Sequence, residues 1–392
     1  MISVEEAIQW IDKQTAPLKT QKVALNNSLN QILAEDIVSP INMPPFRQSA
    51  MDGYAIKFSD QKTYTLIDES KAGDSINVVL KEGETVRIFT GAMVPEGADT
   101  VVIQEHVERN AESITIQKHP KPNANVRPIG EQVSKGDLVL KKGQKLTEAT
   151  IGFLAGLGLT DVTVYALPKV AILVTGNELQ ETGTPLESGK IYESNAIMLE
   201  MALKHIGITN IKVFKTKDTF QETKTTMTKA LEFCDLLLVS GGISVGDYDF
   251  VKASLEANNV EEIFYKVWQK PGKPLWFGKN ENQFVFGLPG NPASALTSFY
   301  VYVRPLLKKM SGHQQTHLKR VRAKLTQDFK NRHGKGLYLK SNLRDDGTVE
   351  ILHGQQSSML HSFAVSNALV FIPADVETVE KGDWVECIKL ES

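Results

Sequence analysis

DLLLVSGGISVGDYDF, residues 235–250, runs from a buried-type apolar segment through a glycine-rich turn into the start of a helical pattern. A short continuous apolar run bounded by turn residues reads as a strand covered on both faces. Glycines after it permit positive φ and let the backbone approach a ligand closely. The free N–H groups and positive dipole end of the following helix favour an anion. Two more turns share this layout: TGNEL at 175–179 and LPGNPASAL at 288–296. An open α/β sheet carries such turns along one edge, where ligands bind outside the carboxyl ends of the strands.

Working outward, residues 169–310 alternate between the two periodicities. VAILVTG, IKVFK, DLLLVSGG and QFVFGLPG read as strands, and 193–206, 219–233, about 249–258 and 292–310 as helices. Asn291 stands where it can N-cap the last helix, with Pro292 at the first helical position. The alternation predicts a parallel sheet with helices on both faces.

The flanks differ. Ser3 and Glu6 have capping-box spacing, and Val4, Ala7, Ile8 and Ile11 follow at helical intervals, so residues 1–18 form an amphipathic helix that docks on a linker or on the central domain. A second helical pattern is read over 25–35. Residues 40–136 hold short β-type runs (TYTLID, INVVL, TVRIF, TVVIQEHV, SITIQ) separated by Gly/Asp/Pro turns, which reads as an inserted β domain. Residues 19–39 and 137–168, with a helix at about 148–157, form a small helix/strand linker domain. The α/β part is assigned to 169–312. Residues 313–392 return to strands (RVRAKL, GLYLKS, VEIL, ALVFIP, WVECIKL) and form a C-terminal β domain.

With 392 residues, 41% hydrophobic and 23% charged, the chain is a multidomain globular protein. The 44 basic and 46 acidic residues leave no cationic excess, so nucleic acid is not expected as a partner. The most basic stretch, HLKRVRAK at 317–324, reads as a strand with a solvated face. The two cysteines make neither a disulfide framework nor a CxxC site. A reducing compartment follows, and with no signal peptide or spanning segment a cytoplasmic location without membrane contact is expected.

The turns carry chemistry as well as shape. Glu178, Asp247 and Asp249 supply carboxylates, and KPGKP at 270–274 holds Lys270 and Lys273 on a proline-stiffened turn, where lysine acts as a point charge for an oxyanion. Carboxylates beside a phosphate site call for Mg²⁺, which uses one or two of them plus substrate oxygens. Each turn also has a bland reading: a capping aspartate, a Gly–Asn turn with a solvated glutamate, a proline device, a solvated lysine loop. Their shared placement on one sheet edge argues for function. The eight histidines have no zinc-ligand spacing. There is no GxxxxGK[ST] and no GxSxG, so P-loop and α/β-hydrolase chemistry are unsupported.

Taken in order, PPFRQSAMDGYA (44–55), RIFTGAMVPEGADTVV (87–102), NVRPIGE (125–131), TGNEL, SGGISVGDYDF, KPGKPLWFG (270–278), LPGNPASAL and GQQSSMLHSFAVSNAL (354–369) resemble the molybdopterin molybdenumtransferase family, the MoeA proteins and gephyrin E domains. The resemblance implies a four-part, dimeric, multidomain α/β plus β architecture whose central parallel sheet is of the molybdopterin-binding type. It implies an enzyme of molybdenum cofactor biosynthesis that takes adenylylated molybdopterin and molybdate and releases AMP, with Mg²⁺ near Glu178 and Asp249. Other proteins of that pathway are further candidate partners. On that basis the catalytic set is Asp52, Glu178, Asp249, Lys270 and Lys273, with Asp52 reaching the site of the second subunit. The substrate-binding set is Thr90, Arg127, Thr175, Gly176, Asn177, Ser240, Gly241, Gly242, Ser244, Gly246, Asp247, Pro289, Gly290, Asn291, Pro292 and Ser294.

One departure stands out: the family's GED is Gly130–Glu131–Gln132 here, and glutamine can hydrogen-bond but carries no charge. Two rival readings are a non-catalytic scaffold of the gephyrin E-domain type and a pterin-phosphate or nucleotide hydrolase. Molybdate and tungstate, similar tetrahedral oxyanions, are not told apart by sequence.

Overall fold

The computed structural model describes residues 1–75, 77–242 and 250–390. The chain divides into two units, one of 1–22, 30–34 and 163–392, the other of 23–29 and 35–162.

The larger unit is organised around a six-stranded sheet in the order Ile211–Thr216, Val170–Thr175, Leu236–Ser240, Phe284–Leu288, Trp276–Lys279, Glu261–Tyr265. The first four strands are parallel, as the alternation predicts. The last two join by antiparallel pairings, with Trp276–Lys279 running opposite to the other five, so the sheet is mixed rather than wholly parallel. They pair through a tight excursion of the chain that needs no crossover helix, which is why an α/β alternation does not reveal them.

Side chains alternate across this sheet. Val170, Ile172 and Val174 enter one buried cluster and Ala171 and Leu173 another. The first cluster holds helices Asn195–His205 and Pro292–Ser298 with its continuation, and the second holds Phe220–Phe233 and Phe250–Glu256. Helices thus cover both faces. The expected helix over 292–310 is one continuous rod, with a π-helical stretch at Phe299–Val303 between α-helical parts.

The N-terminal helix Val4–Gln14 has the capping box of Ser3 and Glu6 and buries Val4, Ala7 and Ile11 in the first cluster. In the same unit, Gly336–Leu343, Thr348–Ile351, Arg320–Leu325, Trp384–Lys389 and Ala368–Ile372 close into a ring of strands, because the first also pairs with the last. Closure removes exposed edges. Gln269–Lys270 adds to it beside Gly336–Leu337.

The smaller unit carries a sheet in the order Thr100–Ile103, Gly53–Ile56, Glu84–Ile88, Thr63–Ser70, Ser113–Ile116, Val107–Arg109. Tyr54 and Ile56 bury on one side and Ala55 on the other, as a two-residue period requires. The helix at Glu148–Gly156 is capped by Thr147 and Thr150. The helix read over 25–35 is not there: only a 3₁₀ turn, Leu25–Asn27, forms. Asn26, Asn27, Ser28 and Asn30 compete for backbone bonds, and Asn30 takes φ 66°, which ends any helix. Cys234 and Cys387 are both buried free thiols, and among the described residues no helix is long and apolar enough to cross a membrane.

Candidate active site

Strand register brings the three glycine-rich turns level. Val174 lies opposite Ser240, and Ser240 opposite Leu288, so the turns after them leave the sheet at one height. The chain fills the sheet outward from Val170–Thr175, first to one side and then to the other. The switch point therefore falls between Thr175 and Gly241, the crevice where open α/β sheets take ligands.

Gly241 has φ +95°, and a Cβ on it would lie 2.6 Å from the Thr175 carbonyl oxygen. No other residue fits there. Gly290 lies against the same glycine: its own Cβ would stand 3.9 Å from Gly241 Cα. Asn195, at the start of its helix, ties the turns together. Its Nδ2 donates to Ser240 Oγ at 2.9 Å and to the Gly290 carbonyl at 2.8 Å. Its Oδ1 is shielded from solvent with no hydrogen-bond partner among the described residues.

Asp218 braces the first turn. Its carboxylate accepts from the Thr175 hydroxyl and, at 3.1 Å, from the Asn177 N–H. Lys190 donates to the Asn177 carbonyl. A cavity of about 840 Å³ opens beside this turn, lined by Gly176, Asn177, Lys190, Glu193, Lys215 and Lys217 among others. That volume is ample for a drug-sized or nucleotide-sized ligand. Glu178 is exposed, and its carboxylate folds back over Gly176.

The LPGNP turn behaves differently from the expectation in one respect. Asn291 sits at the N-cap with Pro292 in the first turn, but its side chain makes no cap bond. Its Nδ2 instead donates to Ser357 Oγ at 3.0 Å, in the 354–369 segment. Pro289 and Ser294 are buried and Gly290 is exposed. Ser294 is only 2% exposed, so its hydroxyl is not presented at the surface.

Lys270 and Lys273 are exposed on their turn. Lys270 Nζ lies 2.8 Å from His333 Nε2. Desolvation, followed by the charges of Lys270, Lys335 and Arg332, holds the His333 imidazole below its usual value, which favours the neutral ring that can accept from the ammonium. A second cavity of about 460 Å³ takes in Lys270, Lys330, Arg332, His333 and His353, with no carboxylate in its described lining. Cations gathered without counter-charges suit an anion.

In the smaller unit, Asp52 and Thr90 come together across the turns that precede and follow their strands. The Thr90 N–H and hydroxyl both donate to Asp52 Oδ1 at 2.7 Å. Those two bonds, and then the Arg87 charge, hold the Asp52 carboxyl below its usual range. Arg87 is itself fixed by Tyr54 and Phe89, each ring 4.9 Å from its guanidinium. Arg127 is exposed on a short strand opposite Gln48. Glu131 and Gln132 are exposed nearby in the chain.

Ser244, Gly246, Asp247 and Asp249 lie outside the described residues. Among the described residues no group of three His, Cys, Asp or Glu could hold a metal ion. Glu178, accessible at the switch-point turn, suits the sparse one- or two-carboxylate ligation of Mg²⁺. Sequence reasoning missed Asp218 and Asn195. Asp218 had a signal, a carboxylate just past the IKVFK strand on the same edge. Asn195 had none without the strand order.

Fold and site together define a multidomain α/β protein whose three glycine-rich turns converge at the switch point of its sheet. Residues 2–158 match the MoeA N-terminal region (domains I and II), 171–309 the probable molybdopterin-binding domain, and 322–390 the MoeA C-terminal region (domain IV). A molybdopterin molybdenumtransferase of Haemophilus influenzae is 38% identical over 98% of both chains. One of Staphylococcus epidermidis is 34% identical over 100% of this chain and 96% of its own. A crystal structure of the molybdopterin biosynthesis MoeA protein from Pyrococcus horikoshii covers 100% of both chains at 30% identity and a TM-score of 0.85. The chain belongs to the molybdopterin molybdenumtransferase (MoeA) family, the transferases of molybdenum cofactor biosynthesis.

Proposed function

We propose that this protein inserts molybdenum from molybdate into adenylylated molybdopterin and releases AMP. The observation that carries this is the convergence of three ligand-type turns, with Asn195 spanning Ser240 and Gly290 and Gly241 pressed on Thr175. Backbone N–H groups of the Gly176, Gly241 and Gly290 turns receive the phosphates of the substrate, as helix-leading turns do. Asp218 keeps the Thr175–Asn177 turn in shape for that contact. Lys270 and Lys273 hold the molybdate, and the neighbouring His333 and Arg332 add donors from the same cavity. Donors fixed before the reaction stabilise charge that develops on the leaving phosphate and the oxyanion.

Glu178 and Asp249 are the residues that would hold Mg²⁺. When bound, the ion would neutralise phosphate charge. Asp52, kept ionised by Thr90, and Arg127 complete the proposed set, and Ser244, Gly246 and Asp247 belong to the phosphate turn. The protein acts as a homodimer in this reading, so a mixed dimer of Asp52→Ala and Lys273→Ala chains should regain activity that neither parent variant has. The free thiols Cys234 and Cys387 suit the cytoplasm.

Purified protein is incubated with adenylylated molybdopterin, Mg²⁺ and molybdate, and AMP release is followed together with active cofactor. Molybdate-dependent release with active cofactor is expected. AMP release indifferent to molybdate would instead identify a hydrolase, and tight binding without turnover a scaffold.

A further inference from the structure

The turn that bears Lys270 and Lys273 is propped from below. Gln269 is fully buried, and its Nε2 donates to the carbonyls of Pro271 at 3.1 Å and Gly272 at 3.2 Å. Its Oε1 accepts from the hydroxyl of Tyr302, which is 1% exposed. Two donors facing two carbonyls fix which way the amide points. Burial raises the Tyr302 phenol well above its usual value, so it remains a donor.

Tyr302 lies in the π-helical stretch Phe299–Val303 of the helix that begins at the LPGNP turn. Such stretches recur at functional sites because they re-aim side chains. Gly272, with φ +83°, sits flush on that helix: a Cβ there would be 3.0 Å from Ser298 Oγ and 3.1 Å from Gln269 Nε2. One helix therefore opens at the phosphate-type edge and reaches the lysine turn through Tyr302.

A buried glutamine is expensive in a core where an aliphatic side chain of the same size would pack. Both carbonyls it serves belong to the residues between the two lysines. We propose that Gln269 and Tyr302 are positioning residues for the oxyanion: the pair sets where the Lys270 and Lys273 ammonium groups stand, and so the affinity for molybdate. This rests on the reading of those lysines as the molybdate site.

The test uses the full-length protein and the variants Y302F, which removes the phenol donor, and Q269M, which removes both amide hydrogen bonds to the turn and the acceptor of the phenol. Molybdate binding is measured by calorimetry. The KM for molybdate, the KM for adenylylated molybdopterin and kcat at saturating molybdate are measured beside it, with Lys273→Ala as the reference. Weakening of molybdate by about tenfold, the equivalent of one ordinary hydrogen bond, is expected in both variants. The pterin KM and the saturated kcat stay within about twofold, because only the approach of the oxyanion changes. An unchanged molybdate KM in both, with K273A clearly weakened, overturns the positioning role. Equal losses in every parameter, or failure of both variants to fold, assign the pair a structural role and overturn it too. A K273A protein that binds molybdate like the parent refutes the lysine reading itself, and the positioning role with it.

Discussion

Gly241→Ala and Gly290→Ala are the same chemical change on adjacent turns, and the structure predicts opposite outcomes for them. Gly241 holds φ +95°, a conformation that disfavours any Cβ by about 1–2 kcal/mol. Its added methyl would also stand 2.6 Å from the Thr175 carbonyl oxygen, which belongs to a strand paired on both sides and has little room to yield. Overpacking of that kind adds about 1–3 kcal/mol. Gly241→Ala is therefore expected to lose about 2–5 kcal/mol in total. Gly290 has no positive φ, and the nearest atom to its added methyl is 3.9 Å away. Its alanine variant should unfold within about 0.5 kcal/mol of the parent. Yet that methyl would project at the edge where the phosphates are proposed to bind, so the KM for adenylylated molybdopterin should rise. Calorimetric melts of the two variants, with kinetics on whichever stays folded at the assay temperature, decide the matter. A Gly241→Ala protein as stable as the parent, or a Gly290→Ala protein equally destabilised, would refute the convergence of these turns.

Asp218→Asn should raise the KM for the adenylylated pterin by about tenfold while leaving the melting temperature nearly unchanged, since a charge-assisted bond to Thr175 and Asn177 is weakened at a half-exposed position. Thr90→Val removes a hydroxyl bond that helps hold the Asp52 carboxyl low, so an NMR titration of Asp52 should shift upward; because a depressed carboxylate contributes only above its unfolded pKa and loses that contribution as pH falls through its folded one, tolerance of acid should narrow as well. Burial pushes the Cys234 thiol from 9.0 up to about 12 and Cys387 up to about 11. The folded state keeps those protons longer than the unfolded one, so their stabilising contribution is whole below about pH 9 and is lost between there and pH 12; urea midpoints measured across that range check it, and iodoacetamide should modify neither thiol at pH 8 until urea is added. Lys340, 2% exposed, donates to the carbonyls of Gly354, Gln356 and Met359, and Lys340→Met should destabilise the protein by about 2–4 kcal/mol by leaving them without that donor, as read from urea unfolding.

Much was legible from local pattern. The apolar runs, the cap at Ser3, the Pro292 helix start and the glycine-rich turns each depend on residues within a few positions, so period and turn chemistry reveal them. The same reasoning failed at 25–35, where a helical spacing of apolar residues was overruled by asparagines that prefer turns. It also missed the antiparallel strands Glu261–Tyr265 and Trp276–Lys279, whose pairing shows only once the sheet exists.

By itself the sequence indicated the four parallel strands and their helices, the family and the three turns with their nearby charges, because these follow from short-range periodicity and ordered motifs. Only the tertiary structure decided what completes the site. Asp218 meets Thr175 across 43 positions, Asn195 meets Gly290 across 95, and Asn291 gives up its cap for Ser357, 66 residues on. Tyr302 reaches Gln269 across 33. Such contacts form only once strand order and helix docking have brought distant segments together, and no local period in the chain encodes that proximity.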